Sequence, residues 1–176
     1  MTPRSSITSL RGGAIGAIGA ADLDEKTTLA QETAARWFSR TLSLRSPLDA
    51  PLPERPGRPD KPVLIAPTQV ERRSLHTVKG RIALLHAIAH IELNAVDLAL
   101  DIVARFATEP VPNSFFDGWM QVAFEEAKHF RMVRARHELV RANFRGPLKP
   151  PFNDIARAEA GLTPSFYRSL TSTSNA

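Results

Sequence analysis

Residues 81–143 read RIALLHAIAHIELNAVDLALDIVARFATEPVPNSFFDGWMQVAFEEAKHFRMVRARHELVRAN, and this stretch decides the fold. It divides at Thr108-Glu109-Pro110-Val111-Pro112-Asn113, where the prolines stop the helix that enters from Phe106. With Glu92 at zero on a wheel of about 100° per residue, Leu85, Ile88, Ala89, Ala95, Val96, Ala99, Val103 and Phe106 fall within about 60°. His86, His90, Asn94, Asp97 and Asp101 gather on the opposite side. The expectation is an amphipathic helix with Glu92 as the lone acid in its apolar face and the other polar groups outside.

Ser114, with Asp117 three residues on, predicts a capping-box variant opening the next helix. With Glu126 at zero, Phe115, Trp119, Val122, Ala123, His129, Phe130, Val133, His137 and Val140 lie within about 60°. Glu125 and Lys128 point away, and Arg131, Arg134, Arg136 and Arg141 suit a helix C-terminus and solvent. So short a connection makes the two helices antiparallel neighbours. Glu92 lies ~21 Å before the turn and Glu126 ~18 Å after it at ~1.5 Å per residue, so the hairpin brings them to nearly one level.

An unpaired buried carboxylate costs several kcal/mol, on the order of that for any desolvated ion, so each acid needs a partner. A Glu on one helix facing Glu126-Ala127-Lys128-His129 on its neighbour is half of the ligand set of a carboxylate-bridged di-iron or di-manganese bundle. The candidate metal ligands are therefore Glu92, Glu126 and His129, and carboxylate with imidazole suits iron or manganese. No separate catalytic or organic-cofactor residues are assigned. His137 reads as a core histidine, less often a replacement ligand. His86 and His90, spaced i, i+4, face away from Glu92 and read as solvated or helix-packing.

The remaining chain frames this hairpin. Its 176 residues suffice for one domain with a real core, and the absence of cysteine excludes disulfides, thiolate metal sites and a cysteine nucleophile. Residues 1–45 form an N-terminal helical segment: a weak, glycine-rich helix over Ser5 to Ala20, then a better one capped by Asp22 or Asp24 and running to about Leu42. Residues 46–80 form a Pro-rich extended strap, with Val63, Leu64 and Ile65 favouring contact with the core. Residues 144–176 form an irregular tail, with room for two turns of helix between Asp154 and Gly161.

The formal charge of +5 invites a nucleic-acid reading. The basic excess lies in the flanks, however, while residues 81–143 carry seven Lys/Arg against eight Asp/Glu. No basic stripe with interleaved aromatics appears, which argues against nucleic acid as the partner. No apolar run is long enough to span a bilayer, and Gly12 to Ala21 makes a poor signal peptide, so the expectation is a cytoplasmic protein without a membrane partner.

Leu84 through Asp101 and Phe116-Asp117-Gly118-Trp119 through Glu125-Glu126-Ala127-Lys128-His129-Phe130 together resemble an uncharacterised bacterial ferritin-like family, catalogued as domain of unknown function 455. The Pro-rich approach and Arg72-Arg73-Ser74-Leu75 extend the resemblance to roughly residues 5 to 140. It implies a four-helix bundle, with Glu92 as a terminal ligand, Glu126 as a bridging ligand and His129 as its nitrogen partner. It also implies non-haem di-iron or manganese chemistry of the oxidase or hydroxylase type, on no known substrate. The departure is that a second Glu and Glu-x-x-His do not follow Asn143, so only the first half of the bundle is expected. Truncation or a frameshift would produce this pattern; so would a half-bundle that completes its site as a homodimer through its exposed apolar faces. Enzymatic activity is expected only of a completed site, and the alternative is a non-catalytic helical remnant or interaction module.

Overall fold

The computed structural model describes residues 7–60, 64–65, 74–144 and 157–158. They form an all-α fold of four helices: α1 (Leu10–Gly19), α2 (Leu23–Phe38), α3 (Val78–Phe106) and α4 (Asn113–Ala142). The long helices α3 and α4 make an antiparallel hairpin, and α1 packs on α3 while α2 packs on α4. Ala14, Ala30, Ala34, Val96, Ala99, Leu100, Phe116, Met120 and Ala123 fill the space between the pairs. Nearer the open end of the hairpin, Leu23, Ala89, Leu93 and Phe130 form a second cluster.

Local sequence explains the helix ends. The Ser9 hydroxyl accepts from the Gly12 N–H at 2.9 Å, Asp22 accepts from Glu25 at 2.8 Å, and Thr77 accepts from Gly80 at 3.0 Å. Each satisfies one of the amides that a helix start leaves unpaired. Thr77 and Gly80 begin α3 slightly before Arg81, and α2 stops at Phe38 rather than near Leu42. In α1 the glycines serve packing: a Cβ on Gly13 would approach the Thr33 side chain to 2.6 Å. That closeness lets two short helices bury small residues against each other despite the helix propensity that glycine loses.

The capping box expected at Ser114 is absent. α4 begins after Pro112 with no side-chain cap, and Asp117 is engaged elsewhere. Its carboxylate accepts from the Trp37 indole N–H at 2.7 Å and from both arms of Arg40 at 2.9 and 3.1 Å. Arg40 reaches it from a left-handed backbone conformation (φ 57°) that ends the α2 exit turn. A tertiary partner has outcompeted the local one. Arg131 and Arg134 likewise turn to α2 rather than to solvent: Arg131 donates to Thr27, Gln31 and Thr28, and Arg134 to Asp24.

The burial of α3 also differs from the wheel. His86, His90, Asp97 and Asp101, expected outside, are all buried. Glu92, Leu85, Ile88 and Ala95 are only partly buried, and Ile91 and Leu84 are exposed. For Asp97 the physical reason is a buried charge cluster, whereas Asp101 is met by Arg105 one turn on and His86 packs against His137. Lys26 of α2, fully buried, donates through Nζ to Asp97 at 2.7 Å and to the Ile18 and Ala17 carbonyls at the end of α1 at 2.7 and 3.2 Å. Arg58 of the strap completes it, paired with Asp97 and donating to Asn94 at 2.9 Å. Burial pulls the Lys26 pKa down, and the Asp97 carboxylate opposes that pull. A polar helix side goes inside when its charges find one another there.

Residues 46–60 run without regular structure over the end of α1, where the Gly57 N–H donates to the Ile18 carbonyl at 2.8 Å. A Cβ at Gly57 would fall 2.2 Å from the Gly19 carbonyl oxygen, so this crossing needs glycine. Val63, most of the further strap and the tail lie outside the described residues. Leu64–Ile65 pair in parallel with Arg157–Ala158, so within the segment expected to turn helically between Asp154 and Gly161 those residues are extended.

Candidate metal centre

Glu92 projects from the middle of α3 at its seam with α4, and Glu126 and His129 project from successive turns of α4 on the same side. One ligand atom from each lies within 4.8 Å of the others. The three residues named from sequence are therefore brought together. His129 Nδ1 is 3.2 Å from Glu126 Oε2, an i, i+3 contact that the helix itself sets. The His129 side chain is 50 % exposed and that of Glu126 25 %, so the group is open on one side.

Electrostatics bind the group together. The Glu126 carboxylate beside Glu92 favours a shared proton, and with partial burial this pushes the Glu92 pKa up to about 7. Glu126 is held below the usual carboxylate range, first by its hydrogen bond with Glu92 and then by His129. Two acids this close cannot both ionise cheaply unless a positive charge enters between them. A divalent cation or a proton meets that need, and the imidazole adds a neutral nitrogen donor.

The other histidines stand apart from this group. His137 is fully buried, with its ring centroid 5.9 Å from that of His86 across the hairpin. Burial lowers the His137 pKa, and Glu138 opposes the shift at 3.4 Å. His90 is buried on the side of α3 away from Glu92, so the i, i+4 pair packs helices rather than facing water.

The Lys26–Asp97–Arg58 cluster escaped sequence reasoning. One signal was available: Lys26 shares helical spacing with Leu23, Ala30, Thr33 and Trp37, which places it on the buried side of α2.

The helical hairpin thus carries a carboxylate–imidazole cluster between its arms. The chain belongs to the family described as "Protein of unknown function (DUF455)", which it matches over residues 19–138. It is also similar to an uncharacterized protein of Haemophilus influenzae (strain ATCC 51907 / DSM 11121 / KW20 / Rd), 48 % identical over 80 residues, which cover 43 % of this chain and 28 % of that protein. The match thus spans less than a third of the relative. No solved structure matches the chain. Among the described residues, no helix is long and apolar enough to cross a membrane.

Proposed function

We propose that this is a ferritin-like protein that holds iron or manganese through Glu92, Glu126 and His129, and that a completed site performs oxidase- or hydroxylase-type chemistry. The observation that carries the reading is the meeting of three donors from two helices within 4.8 Å. The donor set fits: carboxylate oxygens and one imidazole suit both metals, and the strained acid pair gains most from a cation. When bound, such ions supply one-electron redox chemistry and Lewis acidity.

The protein's own part is to hold and orient. Glu126 and His129 are fixed by one turn of α4, and the packing of Ala89, Leu93 and Phe130 beneath them keeps α3 at a constant distance. Glu92 carries the proton that must leave before its carboxylate can ligate. Its raised pKa therefore makes affinity climb as pH rises towards and through 7.

Anaerobic Fe(II) titration with optical and Mössbauer detection, run beside Glu126→Ala, tests the assignment. The expected result is at least a tenfold loss of affinity in the variant, since loss of even an outer-shell partner of a ligand costs roughly 10–100-fold. Equal metal content in both proteins rejects the site. A second reading, a non-catalytic interaction module, draws support from the 60 % exposure of Ile91 and 42 % exposure of Leu84. Metal-free binding behaviour unaltered by Glu92→Ala together with Glu126→Ala would favour it.

A further inference from the structure

Arg58 reaches α3 from the strap and holds it at two points. Its guanidinium pairs with the Asp97 carboxylate and donates to Asn94 Oδ1 at 2.9 Å, three residues earlier on the helix. Lys26 takes the other Asp97 oxygen at 2.7 Å, a contact that alone would be a pivot. The backbone beside Arg58 is itself fixed. The Gly57 N–H donates to the Ile18 carbonyl at 2.8 Å, and the chain crosses the end of α1 too closely there for any residue but glycine. Asn94 and Asp97 stand about 200° and 140° round the helix from Glu92 at about 100° per residue, so the hold lies on the far side of α3 from the ligand group.

The reach of that hold follows from helix dimensions. A side-chain tip rides ~5–6 Å from the helix axis, so turning α3 by ~10° moves the Glu92 carboxylate by ~1 Å. Metal–ligand distances tolerate about ±0.2 Å, and a working site needs its groups held to within roughly 0.5 Å. The contacts beneath the ligand group, from Ala89, Leu93 and Phe130, are apolar. They resist separation of α3 from α4, but apolar contact is non-directional and sets no rotation. Hydrogen bonds do set it, because they weaken steeply off their preferred angle. We propose that Arg58 is a positioning residue for the metal group: it fixes the rotation of α3, hence where Glu92 stands against Glu126 and His129, and so ties the strap to metal affinity. The inference rests on the metal reading above and names a control on that site. A planar, forked guanidinium suits the task, since it meets two acceptors at once where a lysine ammonium gives one point charge. The coupling runs both ways: a seated strap tightens metal binding, and bound metal by the same factor keeps the strap seated.

The test uses the whole chain with Mn(II). Bound metal is measured by equilibrium dialysis for the parent, Arg58→Ala and Arg58→Lys, at a temperature where circular dichroism shows each to be fully folded. Any loss of stability is then separate from the affinity of the folded chain. Arg58→Ala is expected to weaken Mn(II) binding at least ~fivefold. Arg58→Lys keeps the charge beside Asp97 but not the fork, and is expected to stay close to the parent in urea midpoint while losing affinity as the alanine variant does. In the parent, Mn(II) is expected to slow hydrogen exchange across residues 46–60, where the Gly57 amide reports the seated strap. That measurement needs no variant to fold. Arg58→Ala at parent affinity with a lower urea midpoint makes Arg58 structural, and overturns the proposal while the metal reading stands. Strap exchange that Mn(II) leaves unchanged does the same. Arg58→Lys at parent affinity assigns the hold to charge and overturns the fork. No Mn(II) binding by the parent chain removes the metal reading itself, and this inference with it.

Discussion

The two sides of α3 invert the usual relation between polarity and burial. The side against α1 and α2 carries His86, His90, Asp97 and Asp101, all buried, whereas the opposite side carries Ile91, 60 % exposed, and Leu84, 42 % exposed. The difference teaches that the covered side is organised by specific charge partners and the open side by the want of one. Lys26, Arg58 and the Ile18 and Ala17 carbonyls turn Asp97 into an anchor for α1, α2 and the strap. Among the described residues, no such charge partner meets Leu84 or Ile91 in the aliphatic row beside Glu92.

The largest effect should come from breaking that anchor. Asp97→Ala leaves Lys26 in the core without a counter-charge and Arg58 with Asn94 alone, and should destabilise the fold by about 3–5 kcal/mol, as loss of one member of a buried pair does. Lys26→Met should cost less, because Asp97 keeps Arg58. Urea unfolding followed by circular dichroism decides both. An Asp97→Ala cost within that of an average surface change would mean that the covered side is held by its apolar contacts alone.

Much of this architecture was legible in the sequence, and the part that was not has one cause. Apolar periodicity and the Pro-containing turn gave the hairpin, and the equal rise from the turn placed Glu92 opposite Glu126. Those are local rules, and backbone geometry enforces them. The orientation of α3 about its axis depended instead on Lys26, a residue 71 positions away, and on a strap arginine. Asp117 repeats the lesson, since its spacing from Ser114 signalled a cap while Trp37 and Arg40 claimed it. Long-range charge pairing leaves no periodic trace, so a wheel ranks such residues as solvent-facing.

Asp117→Ala should have the next largest effect. Trp37 is buried, and its indole N–H would lose its acceptor at a cost of about 1–2 kcal/mol. The ion pair with exposed Arg40 adds little to that. Tryptophan fluorescence and urea midpoints report the change, and Asp117→Asn, which keeps an acceptor oxygen, should recover most of it. Failure of Asn to rescue would assign the role to charge instead.

On the open side the expected signal is a pH dependence. The Glu92 pKa is raised from its ordinary 4.5 to about 7, so the folded state binds more protons there than the unfolded chain. In metal-free protein its contribution to stability is full below 4.5 and declines as pH rises through about 7. Glu126, shifted the other way, contributes above its unfolded pKa and loses that as pH falls below 4.5, a separate window. Buried His137, with its pKa lowered, pushes stability upward with pH near neutrality, so the parent curve mixes opposing slopes. The clean measurement is the difference between parent and Glu92→Gln in chelator: the variant, neutral at every pH, should gain on the parent between pH 4.5 and 7. A constant difference across that range would mean that the acids do not share a proton.

The smallest effect is the most pointed. Ile91→Gln removes a large hydrophobe from the centre of α3, one residue from Glu92, and in most long helices such a change would be costly. Here the side chain is 60 % exposed, so in metal-free protein the stability should stay within about 0.5 kcal/mol of the parent. Set beside Asp97→Ala six residues further along the same helix, it reverses the ordinary ranking, with the isoleucine dispensable and the aspartate essential. The pair of midpoints, taken in chelator and at one pH, tests whether burial or residue type governs this helix. If Ile91→Gln instead costs as much as a core truncation, the open face is covered in solution even without metal, and the contrast between the two sides of α3 belongs to the isolated chain alone.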